Sequence, residues 1–286
     1  MSNELMTMPD FLAPAAIQDE LDQQEALVNP ASLFPLVRLN KDVRGFMISM
    51  GDQNLGTPQE MQFLILGSEN VYGSRALFQP GESDDTSPVC STSNESPSKQ
   101  DAWVGRWNTE SGHESPANGL GGVLTCGACP WSQFGSDADW DNTRNGKGPA
   151  CKQRRTVYGI RVEESSKRGM FTVQDDTVMR LVLPATSIKS ISAMVAKATA
   201  ARMPLSAAVF NISAKMHNRG SVKWCTLEAD LVGCIGDKGS YDRIQELRKK
   251  VNGIVSRDTT EDTMSYAETS ATAAQASKVS EDEIPF

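Results

Sequence analysis

The chain has 286 residues, a net charge of −8, 39% hydrophobic residues, six cysteines and only two histidines. The apolar share is below the usual globular level, so part of the chain is expected to lie outside any core, and two histidines are too few for most hydrolytic chemistry. No run approaches the roughly 20 apolar residues of a membrane span, and the N-terminus lacks the basic-then-apolar pattern of a secretory signal, which predicts a cytoplasmic protein without a membrane partner.

The charge is divided along the chain. Met1 to Asn29 holds six acids and no Lys or Arg, and Asp258 to Phe286 holds seven acids against the single Lys278. Each end therefore carries −6, and the remainder of the −8 chain is basic by +4. Acidic arms on a basic body read as interaction tails that also compete with nucleic acid for the body's own groove.

Residues 1–30 form the acidic N-terminal arm, where Ile17, Leu21 and Val28 fall on one helical face that ends at Asn29-Pro30. This predicts either a short docking helix or a disordered segment. From Ala31 the pattern turns to strands at Leu36–Asn40, Gly45–Met50 and Met61–Leu66, punctuated by Gly51-Asp52 and Gly56-Thr57-Pro58. Pro80 to Gly148 is then rich in Gly, Ser, Asn, Asp and Pro, yet it holds four of the five tryptophans. A loop that long within a domain needs a source of order other than burial.

Strands resume at Arg155–Val162 and, past a turn at Lys167-Arg168-Gly169, at Thr177–Leu183. Ser187 is placed to cap a helix carrying Ile188, Ile191, Met194, Val195 and Ala198 and stopping before Pro204. Leu205–Ser213 and Ser221–Val232 predict a hairpin turning at His217-Asn218-Arg219-Gly220, and Tyr241–Val255 predicts an amphipathic helix. Strands, a helix and a closing hairpin give a mainly β fold with some α: an OB-like five-stranded barrel over residues 31–257 with a loop insertion at about 80–152. Residues 258–286 are expected to be a disordered acidic tail.

Cys126-Gly-Ala-Cys129 brings two thiolates close enough to chelate one ion, and Cys90 and Cys151 bracket it near the junctions of the insertion. A structural zinc ion on these four cysteines, with His113 as a possible replacement for Cys90, would supply cohesion on the order of 10 kcal/mol. A catalytic zinc of the deaminase type is not indicated, because the His-x-Glu motif is absent. His-Glu-x-x-His and P-loop patterns are also missing, which predicts a non-enzyme.

The densest basic run is Arg144, Lys147, Lys152, Arg154, Arg155, Arg161, Lys167 and Arg168, interleaved with Trp131, Phe134, Trp140, Tyr158 and Phe171. Cations for phosphates beside aromatic platforms for bases suit single strands, at roughly 1–3 kcal/mol per stacked base. From this run Lys147, Lys152, Arg154, Arg155, Tyr158, Arg161 and Trp131 are the candidate DNA contacts, joined by Lys215, Arg219, Lys223 and Trp224 of the second hairpin. Phe46, Phe63 and Phe210 lie in apolar runs and are assigned to the core.

The sequence ends Ser280-Glu-Asp-Glu-Ile-Pro-Phe286. This resembles the C-terminal tip of bacterial single-stranded-DNA-binding proteins, and the resemblance implies that Glu281, Asp282, Glu283, Ile284, Pro285 and Phe286 dock replication, repair or recombination proteins. A zinc insertion in an OB barrel with an acidic tail is similar to phage-encoded helix-destabilising proteins of the T-even type. That resemblance implies a viral protein of a bacterial host cell that coats single-stranded DNA, with self-association on DNA possible. The alternative of another class is a zinc-ribbon adaptor or transcription regulator that binds proteins and duplex DNA or RNA.

Overall fold

Alternation with period two carries Val37, Phe46 and Ile48 to one side of their strands, and the same pattern recurs through most of the chain. The computed structural model describes residues 33–80, 88–95, 102–108, 111, 125–141, 147–219 and 222–255. The N-terminal arm, His113 and the C-terminal tail with its tip lie outside the described residues.

The strands are β1 (Leu36–Asn40), β2 (Gly45–Met50), β3 (Gln53–Gly56), β4 (Glu60–Ile65), β5 (Val71–Leu77), β6 (Cys90–Glu95) and β7 (Arg106–Trp107). They continue as β8 (Lys152–Arg161), β9 (Glu163–Glu164), β10 (Met170–Thr172), β11 (Val178–Pro184), β12 (Ala208–Arg219) and β13 (Val222–Ile235). Helices are α1 (Ser136–Trp140), α2 (Ile188–Ala200) and α3 (238–255).

One mixed sheet runs β3-β2-β1-β11-β8-β4-β12-β13-β10-β9, with β5, β6 and β7 branching from β8. The sheet is mainly antiparallel, with parallel pairing of β1 to β11 and of β10 to β13. It curls until β12 lies against β2 and β13 against β1, but these strands do not pair. The mainly β class is as expected from the pattern, whereas the closed five-stranded barrel is corrected: β3 and β9 remain as edges.

Inside the curl, Val37, Phe46, Phe63, Val157, Leu181, Phe210 and Leu227 pack with Ile191, Met194 and Ala198 of α2. On the outer face, Leu64, Tyr158, Ile160 and Val178 pack with Ile244, Val251 and Ile254 of α3. β8 is thus buried on both sides along its C-terminal half, which fits its near-continuous apolar run. Gly159 is required there: a Cβ at this position would lie 2.4 Å from the Phe63 ring and from the Leu64 carbonyl oxygen.

Local chemistry explains the other departures. Ser187 does not cap α2; its fully buried hydroxyl accepts the Leu227 N–H at 3.0 Å and ties the helix start to β13. His217, Asn218 and Arg219 continue β12 rather than forming a turn, because each pairs across to Trp224, Lys223 and Val222. The insertion contains β6 and β7 and an isolated bridge between Val104 and Thr125, so backbone pairing supplies part of its order.

Candidate nucleic-acid interface and cysteine cluster

The insertion is held by a frame of backbone bonds around its cysteines. Cys90 pairs with Leu77 on one side and Trp107 on the other. The Cys126 N–H donates to the Trp103 carbonyl at 2.7 Å, and the Cys151 N–H donates to the Trp131 carbonyl at 2.8 Å. Ser132 closes the knuckle, its hydroxyl donating to the carbonyls of Cys129, at 2.8 Å, and of Cys126.

Within this frame the Cys90 and Cys151 thiols feel the charge of the neighbouring cysteines. Burial, then the Cys126 and Cys129 charges, pushes the Cys90 thiol up to about 12. Burial and the charges of Cys90, Cys126 and Cys129 push Cys151 up as well, against the lowering effect of Arg75. Cysteine sulfurs are a soft donor set of the kind that zinc takes. They are gathered but not closed into a chelate: among the described residues no group of three or more His, Cys, Asp or Glu is assembled to hold a metal ion.

The candidate DNA contacts are placed unequally. Arg155 is buried, 8% exposed, with its guanidinium over the Trp103 ring, and Tyr158 is 1% exposed with edge contacts to Phe34 and Tyr72. Both side chains are therefore interior ones rather than exposed surface ones. Trp131 is half-buried against Trp140, ring centres 4.9 Å apart, and packs on the small core beside Cys90 and Cys151.

Lys147 is exposed, and Arg161 is exposed at the far end of β8. Lys152 donates to the Pro149 carbonyl at 2.5 Å, and Arg154 lies over the Phe78 ring at 5.0 Å. On the β12–β13 hairpin, Lys215 pairs with Glu228 at 2.5 Å, Lys223 is exposed, and Trp224 stacks on His217 at 5.3 Å and 13°. Arg219 ends β12, and its side chain is outside the described ones. In the sheet β4 lies between this hairpin and β8.

Register across the sheet reveals a more coherent surface. Met47, Arg38, Val182, Thr156 and Tyr72 are paired in turn across β2, β1, β11, β8 and β5. Ser49, Leu36, Arg180 and Tyr158 form the next row, and Ser74, Arg154 and Pro184 the row on the other side. Directly paired residues project from the same face, so Arg38, Arg154 and Arg180 share one face, with Lys152 two residues from Arg154. The α3-packed cluster reaches Tyr158 and Tyr72 on this face, whereas Met47, Arg38, Val182 and Thr156 are outside it and half-buried.

Arg38, Arg180, Tyr72 and Met47 were not singled out by the sequence reading. Their signal was present: a lone arginine on the outward phase of Leu36-Val-Arg-Leu and of Val178-Met-Arg-Leu-Val. Phe134, by contrast, is the most exposed large apolar side chain described, at 86%.

The α3 helix ends at the border of the same face. Arg248 forms an ion pair with Glu69, and the Asn70 amide donates to Asn252 Oδ1 at 2.8 Å, which fixes the last turns of α3 beside the start of β5. Among the described residues, no helix is long and apolar enough to cross a membrane. Comparisons of the chain with family models, with curated proteins and with solved structures find no match.

Proposed function

We propose that this protein binds single-stranded DNA along the outer face of β2, β1, β11, β8 and β5, as a stoichiometric coat and not as an enzyme. The observation that carries the reading is that Arg38, Arg180 and Arg154 stand in three neighbouring cross-strand rows of one half-buried face that also carries Tyr72 and Met47. Guanidinium groups on successive strands match a run of phosphates, and a face with an aromatic and a thioether offers contact to unstacked bases. A duplex hides its base faces, so this arrangement favours single strands.

The four cysteines would hold one zinc ion as a structural cross-link, fastening the insertion to β5 and β8 without entering any reaction. The acidic tip Glu281 to Phe286 would dock replication, repair or recombination proteins: its apolar Ile-Pro-Phe end enters a pocket and its carboxylates meet surrounding cations. The −6 charge of residues 258–286 would also compete with DNA for the basic body.

Photocrosslinking of a single strand carrying reactive bases, followed by peptide mapping, tests the assignment. Adducts on β1, β2, β5, β8 and β11 are expected. Adducts confined to the β12–β13 hairpin or to the outer side of α3 would contradict it.

A further inference from the structure

At the end of the arginine face the chain builds an open pocket. Phe78 and Trp140 line it with Asp137, Asp141 and Lys152. The Trp140 indole N–H donates to the Phe78 carbonyl at 2.7 Å, so the two aromatic residues are fixed relative to each other. Asp137 and Asp141 are 7% and 6% exposed, one helical turn apart on α1 and its C-cap, and the Gly148 N–H holds Asp137 Oδ1 at 3.2 Å.

The pocket continues the proposed binding face. Lys152 pairs with Ala76 and Arg154 with Ser74, and Arg154 lies over the ring of Phe78, just past the end of β5. A strand that follows Arg180, Arg38 and Arg154 reaches Phe78 and the pocket next.

We infer that this pocket takes one unstacked nucleobase of the bound single strand and selects bases that carry an exocyclic amino group. The inference rests on the single-strand reading. Its chemistry follows from the lining: aromatic residues offer the base a stacking partner, and carboxylate oxygens accept hydrogen bonds. The cytosine 4-amino group donates to a carboxylate, whereas thymine presents a carbonyl oxygen at the same position and meets repulsion. Two buried acids likewise repel phosphate, so the backbone stays at the rim with Lys152 and Arg154 while the base enters.

Cytosine and thymine make the cleanest comparison, since both are pyrimidines of similar size. Fluorescence anisotropy with labelled dC12 and dT12 at matched salt is expected to show about tenfold tighter binding of dC12. The D137N/D141N double variant, with its fold checked by circular dichroism, is expected to bring the two affinities to within about twofold, because each amide also donates to the thymine carbonyl. Reading the ratio cancels any general weakening of the protein. Equal binding of the two oligomers by the natural protein overturns the pocket assignment alone, as does a preference that the variant retains. Failure to bind either oligomer overturns both the pocket and the single-strand reading.

Discussion

The Arg155 guanidinium lies 5.8 Å from the centre of the Trp103 ring, and that ring in turn covers Gly73, where a Cβ would come within 2.3 Å of it. Burial and the nearby charge of Arg75 both lower the Arg155 pKa, so this cation is a structural one. The same Trp103 accepts the Cys126 N–H through its carbonyl. One tryptophan thereby joins the cysteine insertion to β5 and β8.

Trp103→Ala should therefore cost about 3–5 kcal/mol of stability, the usual range for emptying a buried aromatic site. Gly73→Ala should cost about 1–3 kcal/mol by forcing the ring away. Urea unfolding followed by circular dichroism measures both. A surface substitution such as Lys223→Ala should stay within about 0.5 kcal/mol.

Arg38→Ala and Arg180→Ala should each weaken single-strand binding and reduce the slope of log affinity against log salt by about 0.7. Arg161, on the opposite phase of β8 from Arg154, should leave the slope unchanged when replaced by Ala. Salt titrations of the three variants separate a phosphate-binding face from a diffuse basic charge.

Elemental analysis of the purified protein should find one zinc per chain. Chelation, or the C126S/C129S double change, should lower the melting temperature and expose the insertion to protease before the rest of the fold. A metal-free protein that melts unchanged after chelator treatment would remove zinc from the account.

Acid should loosen α3 first. Burial would raise the Glu69 carboxyl above its ordinary value, but the hydrogen bond and charge of Arg248, its own backbone N–H and Asn252 outweigh burial and lower it. A carboxylate depressed on folding contributes stability that is present above the ordinary carboxylate range and is lost as pH falls through the folded value. Glu69→Gln should accordingly destabilise the protein near neutrality and leave a smaller difference from the natural protein below about pH 4. Thermal melts across pH measure that convergence.

Much of the strand order was legible because alternation is a local signal. β1 and β2 fall at Leu36–Asn40 and Gly45–Met50 as the pattern predicts, and Phe46, Phe63 and Phe210 are each fully buried as their apolar runs require. The cysteine spacing predicted a four-cysteine metal site; Cys90 and Cys151 feel the charge of the other cysteines, but among the described residues no group of three or more His, Cys, Asp or Glu is assembled to hold a metal ion. What escaped depended on pairing between distant segments. Val71–Leu77 has a weak pattern of its own and becomes β5 through register with β8 and β6. Arg155 and Tyr158 looked exposed because the run around them is basic, but Trp103 and α3 cover them from distant parts of the chain. Arg38 and Arg180, more than a hundred residues apart in sequence, share a face only because β1 and β11 pair in parallel.

The central claim is tested most directly by anisotropy titration of a labelled single strand and a duplex of the same length, using the full chain, a form lacking Glu281 to Phe286, and R38A/R180A. The account predicts tight, salt-sensitive binding of the single strand, weak binding of the duplex, unchanged or tighter binding without the tip, and a loss of at least tenfold in the double arginine variant. Equal affinity for single strand and duplex, or binding indifferent to the two arginines, would contradict it.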